Sequence, residues 1–237
     1  MSIIQGTAKS GGGGAASFYD YPIGDSLRFD GSSYLSRSLS STSTFTISMW
    51  VKGSGGSNDY LFKSGSDVGL NWIAHDTDGR MYMHSANVAT GYGERYRDLS
   101  AWYHLVLQSN SATARFWVNN RAATTNGSTV ATRTSFTFTG TTYIGCYSTA
   151  APNFNGYMAN IQFIDGQALD PYFFGEFKDN IWVPYNAFST AGSGTATASD
   201  NDTATDSYGT NGFHLDFADS SNIGNDVSGN NNDWTVN

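Results

Sequence analysis

The 237-residue chain sets 12 Lys and Arg against 20 Asp and Glu, a formal charge of −8 with no basic cluster, which disfavours binding by phosphate neutralisation and excludes nucleic acid as a natural partner. Charged residues make up 14% and aromatics 15%, too few charges for solvated helical surfaces and enough rings for a large core. A single cysteine, Cys146, excludes an internal disulfide framework, and no segment is apolar over the length a bilayer demands.

In chain order, residues 1–17 read as a peptide arm ending in the glycine run 11–14. Ile3, Ile4, Phe18, Tyr19 and Tyr21 are its candidate anchor side chains. The first ten residues lack a basic and then apolar leader, so the expectation is a protein made and kept reduced in a cytoplasm.

Strand signals begin at Leu27 and Phe29, with Asp30-Gly31 as a turn. Phe45, Ile47, Met49 and Val51 alternate with Thr46 and Ser48, the period-2 pattern of a half-buried strand. Trp50 falls on the polar face of that strand, which predicts that this face is partly covered. Further strands are expected at 60–63, 69–75, 80–84, 114–119, 135–139, 142–146 and 156–164. Residues 102–107 are nearly all apolar and read as a strand buried on both faces.

One short helix is predicted, with Asp170 as N-cap, Pro171 at the first position and residues 172–177 behind it. Residues 189–212 form a low-complexity excursion. Order resumes with Phe213, Leu215 and Phe217, and residues 213–237 close with a polar turn at 226–232 and a last strand around Trp234 and Val236. Ten or more short strands with one helical turn specify an all-β, two-sheet antiparallel sandwich over residues 18–237.

The series SLRFDG (26–31), FTISMWV (45–51), DGR (78–80), WYHLV (102–106), FWVNNR (116–121), YIG (143–145) and FNGYMANI (154–161) resembles the laminin-G-like branch of the concanavalin A-like lectin/glucanase jelly rolls, over roughly residues 26–170. A narrower likeness covers the second half. FIDGQALDP (163–171), FGE (174–176), WVP (182–184), YGTNGFHL (208–215) and GNDVSGNNN (224–232), with the opening residues 1–28, resemble a module of structural proteins of marine tailed bacteriophages. That likeness implies a non-enzymatic virion surface protein, a decoration or fibre component held by its arm to other virion proteins. It also implies a homo-oligomer. The alternatives are a host-recognition lectin for surface polysaccharide and, third, a polysaccharide-degrading enzyme.

Chemistry is sparse in the residues themselves. Glycoside hydrolases of this fold, as the resemblance implies, carry paired carboxylates on one strand, Glu-x-Asp-x-x-Glu, close enough for retaining hydrolysis. Here Glu occurs only at Glu94 and Glu176, outside any such pattern. The four histidines (His75, His84, His104, His214) show no metal-ligand spacing and read as hydrogen-bonded members of the sandwich. Cys146 reads as a small buried hydrophobe.

No cofactor is implied, with calcium as the one open alternative. Asp76 and Asp78, and Asp226 and Asp233, offer oxygens at turns of the kind calcium uses, although ordinary Asx turns account for both places more readily. For glycans, the densest mix of rings and polar groups is YGERYR at 92–97, with Tyr92, Arg95, Tyr96 and Arg97.

Overall fold

The computed structural model describes residues 19–53, 59–65, 71–75, 79–85, 88–91, 94–125, 129–130, 132–134, 137–148, 154–185 and 207–237. Ile3, Ile4, Phe18, Asp76, Asp78 and Tyr92 lie outside them, as does the excursion up to residue 206.

The strands begin with β1 (Leu27–Asp30), β2 (Leu35–Thr42), β3 (Thr44–Gly53), β4 (Asp59–Ser64), β5 (Asn71–His75), β6 (Met81–Ser85) and β7 (Val88–Gly91). Next come β8 (Tyr103–Asn110), β9 (Thr113–Val118), β10 (Arg121–Ala122), β11 (Thr124–Thr125), β12 (Thr129–Val130) and β13 (Thr132–Thr134). The series ends with β14 (Phe138–Ile144), β15 (Asn155–Asp165), β16 (Gly175–Lys178), β17 (Ile181–Pro184), β18 (Phe213–Leu215) and β19 (Thr235–Val236).

They assemble into the expected antiparallel sandwich. One sheet runs β1-β15-β3-β8-β9-β10, with β18 added on β15 and β13 on β9; the facing sheet runs β19-β2-β14-β4-β5-β6-β7. Between them lies an aromatic core. Phe45 and Phe213 each stack on Phe163 with centroids 5.5 Å apart, and Trp234 meets Phe213 edge-on at 4.9 Å. Such offset and edge-on pairs add to the area each ring buries. Among the described residues, no helix is long and apolar enough to cross a membrane.

β3 explains the architecture of the site. Its inward face carries Phe45, Ile47, Met49 and Val51, while Thr46, Ser48 and Trp50 on the other face are buried as well. A chain that buries polar groups must pair them. Thr46 Oγ1 donates to Gln167 O at 2.9 Å and accepts from Leu169 N at 2.7 Å, while Gln108 Nε2 on β8 donates to Ala168 O at 2.9 Å. These bonds pin the segment after β15 across the outer face of the sheet. Val106, Ile164, Leu169, Phe173, Phe174 and Tyr208 form a second apolar cluster beneath it.

The predicted helix proves shorter than expected. Asp170 caps as anticipated, its Oδ1 accepting from Tyr172 N at 3.0 Å, but only a single 3-10 turn forms at Pro171–Phe173. The chain then enters the β16–β17 hairpin, which competes successfully for residues 175–178. Its turn, Asp179-Asn180, has φ of 49° and 62°, the left-handed pair of a type I′ hairpin. Gly175 is required there, because a Cβ would sit 2.3 Å from the Trp182 ring.

Candidate functional site

The hairpin and the outer face of the sheet enclose a groove of about 420 Å³, within the range of small-molecule sites. Trp50 of β3 forms part of its wall, with Trp102 and Tyr103 at the start of β8, Phe177 and Trp182 on the hairpin, and Tyr19 ahead of β1. Asn119 and Asn180 contribute amides, and no Asp or Glu lines it among the described residues.

His104 organises the base of the groove. Its neighbour Trp182 can only donate through Nε1, and does so to His104 Nδ1 at 2.9 Å. The ring proton therefore sits on Nε2, which faces Ser48 Oγ at 2.8 Å. The imidazole stacks on Trp50, centroids 4.9 Å apart and 25° from parallel. Burial pushes its pKa down to about 3, so it is neutral and structural. Asn119, in the β9–β10 turn with φ of 49°, exchanges two bonds of 2.8 Å with the His104 backbone.

Trp50 is 5% exposed, and its buried Nε1 meets no acceptor among the described residues. On the rim, Phe177 and Tyr172 are exposed and stand edge-on to Trp182 at 5.0 and 5.5 Å. Exposed rings clustered around a groove are characteristic of a contact surface.

Elsewhere the anticipated residues take other roles. Tyr96 turns inward, edge-on to Tyr103 at 5.3 Å and packed against the core, and burial pushes its phenol up to about 12. Arg95 and Arg97 point outward beside it, so the three do not converge on one pocket. Tyr19 and Tyr21 pack on their own domain. Tyr19 lines the groove, Tyr21 Oη donates to Asn160 Oδ1 at 3.5 Å, and between them Asp20 pairs with Lys178 at 2.6 Å.

Asp226 is buried, and its Oδ1 accepts from His214 N at 2.8 Å and Ser228 N at 2.9 Å. Its Oδ2 accepts from Asn232 N at 2.8 Å and Ser228 Oγ at 2.9 Å. Asp233 Oδ1 accepts from Asp226 N at 2.9 Å. The two carboxylates are thus engaged in tying their own loop, and no cluster of three metal-ligating side chains occurs among the described residues.

His214 lies in a second buried network. Its Nε2 contacts Asn160 Oδ1 at 2.6 Å and its Nδ1 contacts Tyr208 Oη at 3.3 Å. Asn160 sits at φ 48°, where the β15–β3 register shifts. Cys146 is buried as expected.

Sequence reading missed Phe177, assigned to a helix, and Trp182 as groove residues. The available signal was Trp50, a large ring on a nominally polar strand face that something had to cover.

A profile of the Concanavalin A-like lectin/glucanases superfamily matches residues 29–171, and the chain belongs to that family. Among solved structures it is similar to a heptameric SAP-like pentraxin from Limulus polyphemus, at 16% identity and TM-score 0.45, over 61% of this chain and 76% of that one. It is also similar to domain 4 of the arabinanase AbnA from Geobacillus stearothermophilus, at 18% identity and TM-score 0.46, over 66% and 78%. Mouse laminin α1 domains LG4-5 align at 16% identity and TM-score 0.43, over 60% and 43%. No curated protein sequence matches the chain.

Proposed function

We propose that this chain is a non-enzymatic, carbohydrate-binding surface module whose sugar site is the groove between β3, β8 and the β16–β17 hairpin. The observation that carries this reading is the groove itself, where the rings of Trp102, Phe177 and Trp182 stand around the amides of Asn119 and Asn180. Sugars need ring faces for their C–H surfaces and fixed donors and acceptors for their hydroxyls. The groove offers rings and two amides. Hydrolysis with two carboxylates has no support from a lining without Asp or Glu among the described residues.

The setting supported by the narrower sequence likeness is the surface of a tailed bacteriophage particle, where the module would hold host polysaccharide. Since Tyr19 and Tyr21 rest on the domain itself, an anchor to other virion proteins would use residues before them.

The test is a glycan array run with the wild type and with Phe177→Ala and Trp102→Ala, each checked for an unchanged thermal midpoint. Binding that both substitutions weaken at least ten-fold is expected. Glycan binding indifferent to both would remove the groove from consideration. Release of reducing sugar from any bound polymer would return the enzyme alternative.

A further inference from the structure

The register of the sheet places a second feature beside the groove. Arg28 on β1 is opposite Tyr157 on β15, and Tyr157 is opposite Lys52 on β3. Trp102, one residue before β8, continues this row, its ring 6.5 Å from Tyr157. The next row on the same face, two residues along each strand, holds Ala159, Trp50 and His104. Rows two residues apart are separated by roughly 6.6 Å, so the two features adjoin, and Trp102 belongs to both.

Both cations are held against the same ring. Arg28 Cζ lies 5.2 Å and Lys52 Nζ 5.7 Å from the Tyr157 centroid, within cation–π range. Arg28 is further fixed by Nη2 donating to Asn155 Oδ1 at 2.6 Å and Nη1 donating to Gly156 O at 3.4 Å. Neither has a carboxylate partner among the described residues, in a chain where acids outnumber bases 20 to 12. Two oriented, uncompensated positive charges are therefore concentrated next to an uncharged aromatic groove. Fixed charges at the edge of a site select partners of opposite sign.

We infer that the glycan is acidic: a sugar ring occupies the groove while carboxylates on the same polysaccharide meet Arg28 and Lys52 along the Tyr157 row. This rests on the groove reading and adds the chemical class of its ligand. The net charge of −8 does not oppose it, because at physiological ionic strength charges beyond about 8 Å are screened and the adjacent cations dominate.

The experiment is affinity electrophoresis through polygalacturonate, alginate and hyaluronate, through each polymer after carboxyl reduction, and through neutral galactan and dextran. The proteins are the wild type, Arg28→Gln/Lys52→Gln and Phe177→Ala, with thermal midpoints confirming the fold. Expected is retardation by at least one acidic polymer that weakens ten-fold or more on carboxyl reduction. The double variant loses that difference, and Phe177→Ala weakens binding to both forms.

Equal retardation by acidic and reduced polymers, or acid binding untouched by the double variant, overturns the inference and leaves the groove reading intact. Acid binding that survives Phe177→Ala unchanged separates the charges from the groove and overturns both readings. No retardation by any polymer also overturns both.

Discussion

Trp182 on the hairpin donates its indole N–H to Nδ1 of His104, at 2.9 Å, on a strand of the underlying sheet. One bond thus fixes the tautomer of a fully buried imidazole and fastens the outer wall of the groove to its base. Replacing Trp182 with Phe keeps a ring but strands Nδ1 without a donor. The expected loss is about 1–3 kcal/mol, the cost of a buried unsatisfied group, read as a lower urea midpoint at an unchanged m-value. An unchanged midpoint would mean that the hairpin is not held through this bond.

Acid sensitivity should come from His104 and His214. Burial lowers their pKa values to about 3 and about 4. In the unfolded chain a histidine titrates near 6.5, so below that pH the unfolded state takes up protons that the native state refuses. Stability from this source is full above about pH 6.5 and falls as pH drops toward 4 for His214 and 3 for His104. The slope reaches about 1.4 kcal/mol per pH unit for each histidine. Urea midpoints should stay level from pH 8 to 7 and decline below 6; a level series down to pH 5 would contradict the assignment of both rings as neutral.

Cys146 should be silent in the native protein. It is fully buried, and burial pushes its thiol up to about 12. Since the thiolate is the reactive species, iodoacetamide at pH 8 should leave the native protein unmodified and label one site per chain in urea. Rapid native labelling would require this side of the sandwich to open frequently.

Asp226 ties its loop through four donors, so Asp226→Asn would turn an amide NH₂ toward N–H groups that need an acceptor. Bonds to charged groups contribute about 1.5–3 kcal/mol each, and the substitution should cost at least about 2 kcal/mol. Because both oxygens are engaged, the wild-type thermal midpoint should be the same in calcium and in chelator. A rise of several degrees in calcium would give this loop a second role.

The sandwich was legible wherever one strand face was apolar. β3 announced itself through Phe45 to Val51; β15 showed the same alternation at Tyr157, Ala159, Ile161 and Phe163, but the left-handed Asn160 shifts the register and leaves Tyr157 and Ala159 on the outer face while Ile161 and Phe163 enter the core. β2 did not, because Arg37 lies between Leu35 and Leu39 on the same face and reaches across to Asp233 O at 2.8 Å. A strand whose inward middle position is an arginine leaves no alternating signal. The groove was half legible. Trp50 predicted a cover, but the cover was hidden in residues 172–177, where a good N-cap and Pro171 suggest helix and a tertiary contact between Gly175 and Trp182 decides for strand. The cationic row could not be read in sequence at all, since Arg28, Lys52 and Tyr157 meet only through strand register.

The placement of β19 carries a consequence for how the molecule forms. Asn237 exchanges backbone bonds of 3.1 and 2.9 Å with Tyr34, and its side chain reaches Ser36, 201 positions away. Trp234, 3% exposed, completes the aromatic core against Phe62 and Phe213. The centre of the domain therefore stays unfilled until residues 234–237 dock, and the closing contact between Asn237 and Ser36 spans 201 positions. Chains dominated by such distant pairings collapse to the native state in milliseconds to seconds rather than microseconds. During that interval the β2 edge stands open, and crowded synthesis of many copies would expose it to pairing between nascent neighbours.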